Sequence, residues 1–230
     1  MLIELFATLG VWIDLPLGIL FCLPGVLLAI TLHEYTKARC STAFGDPRPR
    51  NDGRLTLNPF KHIEPIGFIC TCLWGMGWGK PSIVTLNYFE PKNRRRNALI
   101  VYITPVVVNL FAGLALGVCA MSLRHVLGQG APIYVGIATL FTQFGALEPL
   151  SYVYLVLLGA AAMNICFALV QCIPIYPMAG ERVLAQFLKP EAIVKMVQYQ
   201  AIWQILLIMG MAGGWIGKVV YPICRALLWL

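Results

Sequence analysis

His33 and Glu34 are the residues whose types and spacing point most directly to chemistry. They begin the stretch His33-Glu34-Tyr35-Thr36-Lys37, which ends the first long apolar run. Ionisable side chains at that depth are costly unless they have a function or a partner. A His-Glu pair is used in the zinc signature H-E-x-x-H, where two histidines one helical turn apart bind zinc and the glutamate handles protons. In this sequence Lys37 occupies the second histidine position.

The composition is that of an integral membrane protein. Of the 230 residues, 59% are hydrophobic and 12% charged, and the mean hydropathy is +0.77. Soluble domains contain about 25% charged residues. A net charge of +7 would suggest nucleic acid in a soluble chain, but in a membrane protein it reflects basic residues on the cytoplasmic side. We therefore expect the lipid bilayer as a partner and no nucleic acid. The N-terminus lacks the features of a cleavable signal peptide.

The hydropathy pattern predicts an all-α protein with about four main transmembrane helices, forming a single membrane-embedded domain over residues 1–230. The predicted spans cover residues 15–43, 98–121, 151–170 and 201–225, the last with a possible break near Gly213-Gly214. Residues 66–78 are apolar but too few to span, so we expect a re-entrant or interfacial segment. Residues 1–13 could form an interfacial helix, and residues 181–200 resemble one amphipathic surface helix.

The basic residues orient these spans. Of the seventeen lysines and arginines, eleven lie between Lys37 and Arg96, and three more lie between residues 179 and 200. Both regions should be cytoplasmic, which predicts a multi-pass protein of the cell membrane with residues 37–97 and 171–200 inside. The His33-Glu34 end of the first span and the Pro174–Gly180 end of the third then share one membrane face.

The eight cysteines do not predict a disulfide framework. Most lie in or beside apolar runs, where cysteine behaves as a small hydrophobe. Cys70 and Cys72 have one residue between them, whereas zinc and redox motifs have two.

Several segments, in a fixed order, resemble one family, the site-2 proteases, which are intramembrane zinc metalloproteases. The resemblance covers residues 15–185 and is most specific at Gly53–Pro59. The segments that carry it are Leu32-His33-Glu34, Gly45-Asp46-Pro47, Gly53-Arg54-Leu55-Thr56-Leu57-Asn58-Pro59, Lys61-His62-Ile63-Glu64-Pro65-Ile66-Gly67, Gly77-Trp78-Gly79-Lys80-Pro81, Thr104-Pro105 through Asn109, and Asn164 through Arg182.

The resemblance implies a metalloendopeptidase whose zinc is held by two histidines and a loop aspartate, with a glutamate as general base. Matched position by position, the first histidine is His33 and the base is Glu34. The second histidine is replaced by Lys37, and the aspartate is replaced by Ala179. His33 is the only ligand-type residue that remains of the three. Gln171 stands where the family has an asparagine, and the resemblance makes Asn109, Asn164 and Gln171 candidates for the substrate cleft, although an interhelical hydrogen bond is the alternative for both asparagines.

These departures predict a proteolytically inactive member of the family. Hydrolytic zinc needs three protein ligands and an open position, so one histidine would hold the metal too weakly. We expect no cofactor, and a function in binding a transmembrane client or partner. The alternative is an active zinc protease with ligands rebuilt from Cys40, Cys172 or Glu181. A third class, a small permease or accessory subunit, has no specific support.

Lys37 itself has two interpretations. It can pair with Glu34, three residues earlier on the helix, and act as a built-in cation that also holds Glu181 in the old cleft. Alternatively, it extends to the membrane interface. We interpret His62 as structural and His125 as a headgroup contact.

Overall fold

A computed structural model describes residues 15–127 and 149–228. Within these ranges the secondary structure is helical, with no β-strand. In chain order the α-helices are α1 Leu15–Ala43, α2 Arg48–Asn51, α3 Pro65–Trp74, α4 Arg94–Leu127, α5 Pro149–Gln171, α6 Ala179–Ala185, α7 Pro190–Gln198, α8 Gln200–Ala212 and α9 Gly217–Leu227. The predicted interfacial helix at residues 1–13 lies outside the described residues.

Three of the described helices, α1, α4 and α5, are long and apolar enough to cross a membrane. The number rises to four if α7 and α8, which meet at a bend of 63°, form one broken span. The prediction of an all-α protein with about four spans is therefore confirmed by the length and composition of these helices. The chain is a multi-pass membrane protein. Helix α3 has ten residues, about 15 Å, and cannot cross a hydrocarbon core of about 30 Å.

Two predicted segments differ from the structure, and one predicted break is confirmed. Helix α4 begins at Arg94, four residues before the predicted apolar span, because arginine is a good helix former and backbone hydrogen bonding continues beyond the apolar residues. The predicted span 201–225 is divided into α8 and α9 at the predicted position, with Gly214 in the left-handed region (φ 73°). Residues 181–200 form two helices, because Pro190 starts a new helix after residues 186–189.

Local signals fix the ends of α3, which lies beside the candidate site. The carboxylate of Glu64 accepts a hydrogen bond from the Gly67 N–H, and Pro65 occupies the first helical position. Gly75, with φ 69°, ends the helix in the left-handed conformation. Residues 76–85, which follow α3, have no regular secondary structure and include the segment that forms one wall of the candidate site.

Helices α1, α4 and α5 pack against one another and form the core that positions the site. Helices α1 and α5 approach closely at Gly25, where a Cβ atom would lie 2.4 Å from Cα of Ala160. Only glycine permits this distance. One buried apolar cluster fills the α1–α5 interface, and a second joins α5 to α8 and α9. Helix α6 lies against α4.

Candidate functional site

Helix α1 carries His33, Glu34 and Lys37 into the interior at its C-terminal end. Their side chains are almost fully buried, with exposed fractions of 2%, 3% and 8%. His33 and Lys37 are four residues apart and so lie on the same face of the helix, one turn apart. The ring of His33 packs edge-on against Phe167 of α5, with the ring centroids 5.5 Å apart.

Glu34 is hydrogen-bonded through both carboxylate oxygens. Lys37 Nζ lies 2.7 Å from Glu34 Oε1, and the backbone N–H of Ser82 donates to Glu34 Oε2 at 2.8 Å. The predicted ion pair between Glu34 and Lys37 is therefore present. Lys37 does not extend to the interface, because its ammonium group is buried beside this carboxylate.

The segment Gly79–Thr85 forms one wall of the site and is tied to α1 and its flanking loops. The N–H of Lys80 donates to the carbonyl of His62 at 2.7 Å, and the N–H of Thr85 donates to Asp46 Oδ2 at 2.7 Å. A Cβ atom at Gly79 would lie 2.9 Å from the His62 carbonyl oxygen and 3.0 Å from Cγ of Glu34. The wall is therefore closely packed against the helix turn that carries Glu34.

The opposite wall is the turn between α5 and α6. Gln171 bridges the two walls, since its Nε2 donates to the Gly77 carbonyl at 3.2 Å and its Oε1 accepts from the N–H of Ala179 at 2.9 Å. The Tyr176–Pro177 peptide bond in this turn is cis. Gln171, one of the predicted cleft residues, thus holds together the two loops that enclose the site.

These elements enclose a cavity of about 190 Å³, hereafter the cleft. Two buried polar atoms on its wall, His33 Nδ1 and Ser82 Oγ, have no hydrogen-bond partner among the described residues. Both atoms are buried on residues that line the cleft, so their hydrogen-bonding capacity is unused in the described part of the chain. Its lining residues are His33, Glu34, Lys37, Trp78, Gly79, Pro81, Ser82, Ile83, Val84, Tyr102, Gln171, Tyr176, Pro177, Met178, Ala179 and Arg182.

The other two cleft candidates, Asn109 and Asn164, are placed elsewhere. Asn109 Nδ2 donates to the carbonyl of Ala29 on α1 at 2.9 Å. Asn164 Nδ2 donates to the carbonyl of Ala160, one turn earlier on its own helix, at 2.8 Å. Neither residue is among those that line the cleft in the described part of the chain. Both occupy the packed helix core.

Glu181 does not reach Lys37, contrary to the expectation that the lysine would hold it. Its carboxylate pairs with the neighbouring guanidinium of Arg182, with 3.0 Å between Oε2 and Nε. Burial raises the pKa of Glu181 above its usual value, and Arg182 partly offsets this effect. The other two histidines also lie away from the cleft: His62 Nε2 is 2.7 Å from the carbonyl oxygen of Thr56, and His125 is exposed.

The residues of the cleft do not fit a zinc ion. Where a second histidine and an aspartate would be needed, the cleft presents the ammonium group of Lys37, which has only donors, and the methyl group of Ala179. The suggested replacements, Cys40, Cys172 and Glu181, are not among the cleft-lining residues of the described chain. Across residues 15–127 and 149–228, no group of three or more histidine, cysteine, aspartate or glutamate side chains could hold a metal ion.

Four residues of the site were missed in the sequence. Ser82 contributes its backbone N–H, a group that residue type does not distinguish. Tyr102 lines the cleft, although it lies within residues 98–121, which we interpreted only as an apolar span. Asp46 was noted only as part of a turn, yet it is fully buried and accepts three hydrogen bonds. Arg182 was counted as a basic surface residue, and it lines the cleft.

The chain is similar in sequence to a bacterial protein. "Putative zinc metalloprotease YwhC" of Bacillus subtilis (strain 168) is 28% identical over 176 residues, which cover 76% of this chain and 73% of that protein. No protein-family model matches the chain. No solved structure matches it significantly.

Proposed function

We propose that this chain, which is similar to a putative zinc metalloprotease, is a non-catalytic relative of the site-2 proteases that uses its cleft to bind a membrane-embedded polypeptide client. The client enters as an extended segment, contacts the polar atoms of the cleft and leaves uncut. Lys37 provides the positive charge that zinc would otherwise supply, and Glu34 serves as its partner.

The observation that carries this proposal is the engagement of both oxygens of Glu34. One accepts from Lys37 Nζ at 2.7 Å and the other from the Ser82 N–H at 2.8 Å. These two bonds leave further lone pairs on the carboxylate, but the cation that Glu34 faces is Lys37, which stands where a protease of this kind would have a metal-binding histidine. Glu34 is a fixed part of the cleft wall, held by a neighbouring cation and a backbone donor.

The unpartnered atoms of the cleft support binding. A buried polar group without a hydrogen bond costs about 1–3 kcal/mol, so a guest that reaches His33 Nδ1 or Ser82 Oγ and pairs with it would be bound more tightly. The backbone of an extended polypeptide carries both donors and acceptors at regular spacing. Ile83 is 56% exposed and lies beside the cleft, where it can contact the client.

Site-specific photocrosslinking in native membranes tests client binding. A photoreactive residue is placed at Ile83, and the matched control is Ile69 on α3, which is equally exposed at 54% but does not line the cleft. We expect a discrete polypeptide adduct from Ile83 that is absent from Ile69. Equal adducts from both positions, or none from Ile83, would contradict the proposal.

The Glu34→Gln variant separates binding from cleavage in the same assay. A protease whose base is removed accumulates uncut substrate, so its adduct would become stronger. We expect no increase here, because the client is not cut in the unmodified protein either. A clear increase in adduct, together with loss of a shorter client fragment, would show that the cleft is catalytic.

A further inference from the structure

A second cavity, the α4–α6 groove, lies on the outer side of Ala179. It has a volume of about 340 Å³ and is lined mainly by apolar side chains of α4, α6 and the residues that follow α6. Three of these side chains are well exposed: Ile103 (44%), Leu184 (37%) and Phe187 (59%). The groove is therefore open along its length to whatever surrounds helix α4.

A cluster of cations lies at one end of this groove. The guanidinium group of Arg95 is 4.1 Å from the centre of the Phe187 ring, which itself lines the groove. Residues 86–100 contain Lys92, Arg94, Arg95 and Arg96 against one carboxylate, Glu90. The carboxylate of Glu90 accepts from Nδ2 of Asn93 at 2.7 Å. Arg95 thus places a cation against a groove-lining ring, within a segment of net positive charge.

The distance along α4 from Arg95 to the end of the groove is close to the depth of one leaflet. Arg95 precedes Tyr102, the first groove-lining residue of α4, by about 10 Å, and the lining residues from Tyr102 to Val106 cover about 6 Å more. Half of a hydrocarbon core of about 30 Å is about 15 Å. A cation and an apolar groove are thus arranged on a single helix at a separation that suits a lipid headgroup and its acyl chain.

We infer that the α4–α6 groove binds an anionic phospholipid, with an acyl chain between Ile103 and Leu184 and the phosphate at Arg95. Arginine binds phosphate through paired N–H donors, and basic clusters next to a span attract lipids of net negative charge. The choline group of phosphatidylcholine offsets its phosphate, so a zwitterionic lipid of the same chains should bind more weakly.

The bound lipid would adjoin the cleft. The α4–α6 groove and the cleft share three lining residues, Tyr102, Gln171 and Ala179. A lipid in the groove would therefore cover the outer side of the wall that separates the two cavities. This inference does not depend on whether the cleft binds a client or cuts one, since it concerns the outer surface of the shared wall.

Native mass spectrometry of the purified full chain in detergent tests the proposal, with phosphatidylglycerol and phosphatidylcholine of identical acyl chains as probes. We expect one tightly retained phosphatidylglycerol, bound about fivefold or more tightly than phosphatidylcholine. The Arg95→Gln variant should lose this preference. The matched control is Arg124→Gln, at the opposite end of α4, which should keep it.

A second pair of variants tests the apolar part. Ile103→Trp should fill the groove and weaken both lipids, whereas Phe111→Trp, on the same helix but away from the groove, should weaken neither. Equal affinity of the unmodified protein for the two lipids, or an unchanged preference in Arg95→Gln, would overturn the proposal. Retention of a polypeptide that Ile103→Trp removes would assign the groove to a protein segment instead.

Discussion

Lys37 Nζ and Glu34 Oε1 lie 2.7 Å apart in the cleft, and both side chains are almost fully buried. Burying two charges costs free energy, which is recovered only when their geometry is good and their remaining atoms are hydrogen-bonded. Glu34 meets this condition through the Ser82 N–H. The pair therefore behaves as one unit, and removing either member should have a different effect from removing both.

Replacing Lys37 alone should destabilise the protein strongly. Lys37→Met leaves Glu34 buried without its cation, and breaking a buried pair in this way costs about 3 kcal/mol or more. Thermal unfolding in detergent measures the loss. The control is Lys61→Met, which should have little effect because Lys61 is exposed.

The double variant Glu34→Gln with Lys37→Met should recover most of the stability, since the amide oxygen can still accept from the Ser82 N–H. An additive loss in the double variant would contradict the pairing.

Adding a methyl group at Gly79 should disturb the cleft wall. The Cβ atom of Gly79→Ala would lie 2.9 Å from both the His62 carbonyl oxygen and Cγ2 of Ile30. Overpacking of this kind costs about 1–3 kcal/mol, which thermal unfolding can detect. Gly210→Ala is the control, because its nearest neighbour is the flexible end of Ile216 at 3.2 Å. Equal melting temperatures for the two variants would contradict the close packing.

Removing the Asp46 side chain should release the segment that carries Ser82. Asp46 Oδ2 accepts from the Thr85 N–H at 2.7 Å and from Ser41 Oγ at 2.9 Å, in a fully buried position. Asp46→Ala leaves these donors unpaired, at a cost of about 1–3 kcal/mol for each. Hydrogen exchange should become faster at residues 82–85. The exposed Asp52→Ala serves as the control, and unchanged protection in the Asp46 variant would show that this carboxylate does not hold the segment.

Glu181 should make stability depend on pH. Burial raises its pKa in the folded protein above the ordinary value of 4.5, so the folded state holds the proton more tightly than the unfolded state. The stability of the unmodified protein relative to Glu181→Gln should then be highest at or below pH 4.5. It should fall as the pH rises through the folded pKa and stay constant above it. Melting temperatures between pH 4 and 7 measure this difference. A relative stability that rises with pH would contradict the assignment.

The sequence was sufficient for the parts of the structure set by helical geometry. The run from residue 15 to residue 43, the i, i+3 pairing of Glu34 with Lys37 and the possible break near Gly213-Gly214 followed from residue types and spacing, and the structure confirms them. The resemblance to the site-2 proteases agrees with the 28% identity to a putative zinc metalloprotease.

The remaining contacts of the site depend on tertiary packing. The N–H of Ser82 reaches Glu34 across 48 residues, and Gln171 reaches Gly77 across 94. Because nearly every residue type has the same backbone N–H and C=O groups, the residue type does not indicate which backbone group forms such a hydrogen bond. Asn109 and Asn164 illustrate the converse, because their amides could serve a cleft or a helix interface, and only the packing of α1, α4 and α5 decides which.

The metal content of the purified protein tests the central claim most directly. Zinc per chain is measured by elemental analysis for the unmodified protein, for His33→Ala and for His125→Ala, whose exposed histidine is the matched control. We predict far less than one zinc per chain in all three, and near-stoichiometric zinc only when Lys37→His and Ala179→Asp are combined. One zinc per chain in the unmodified protein, lost in His33→Ala and kept in His125→Ala, would contradict a cleft in which a lysine replaces the metal.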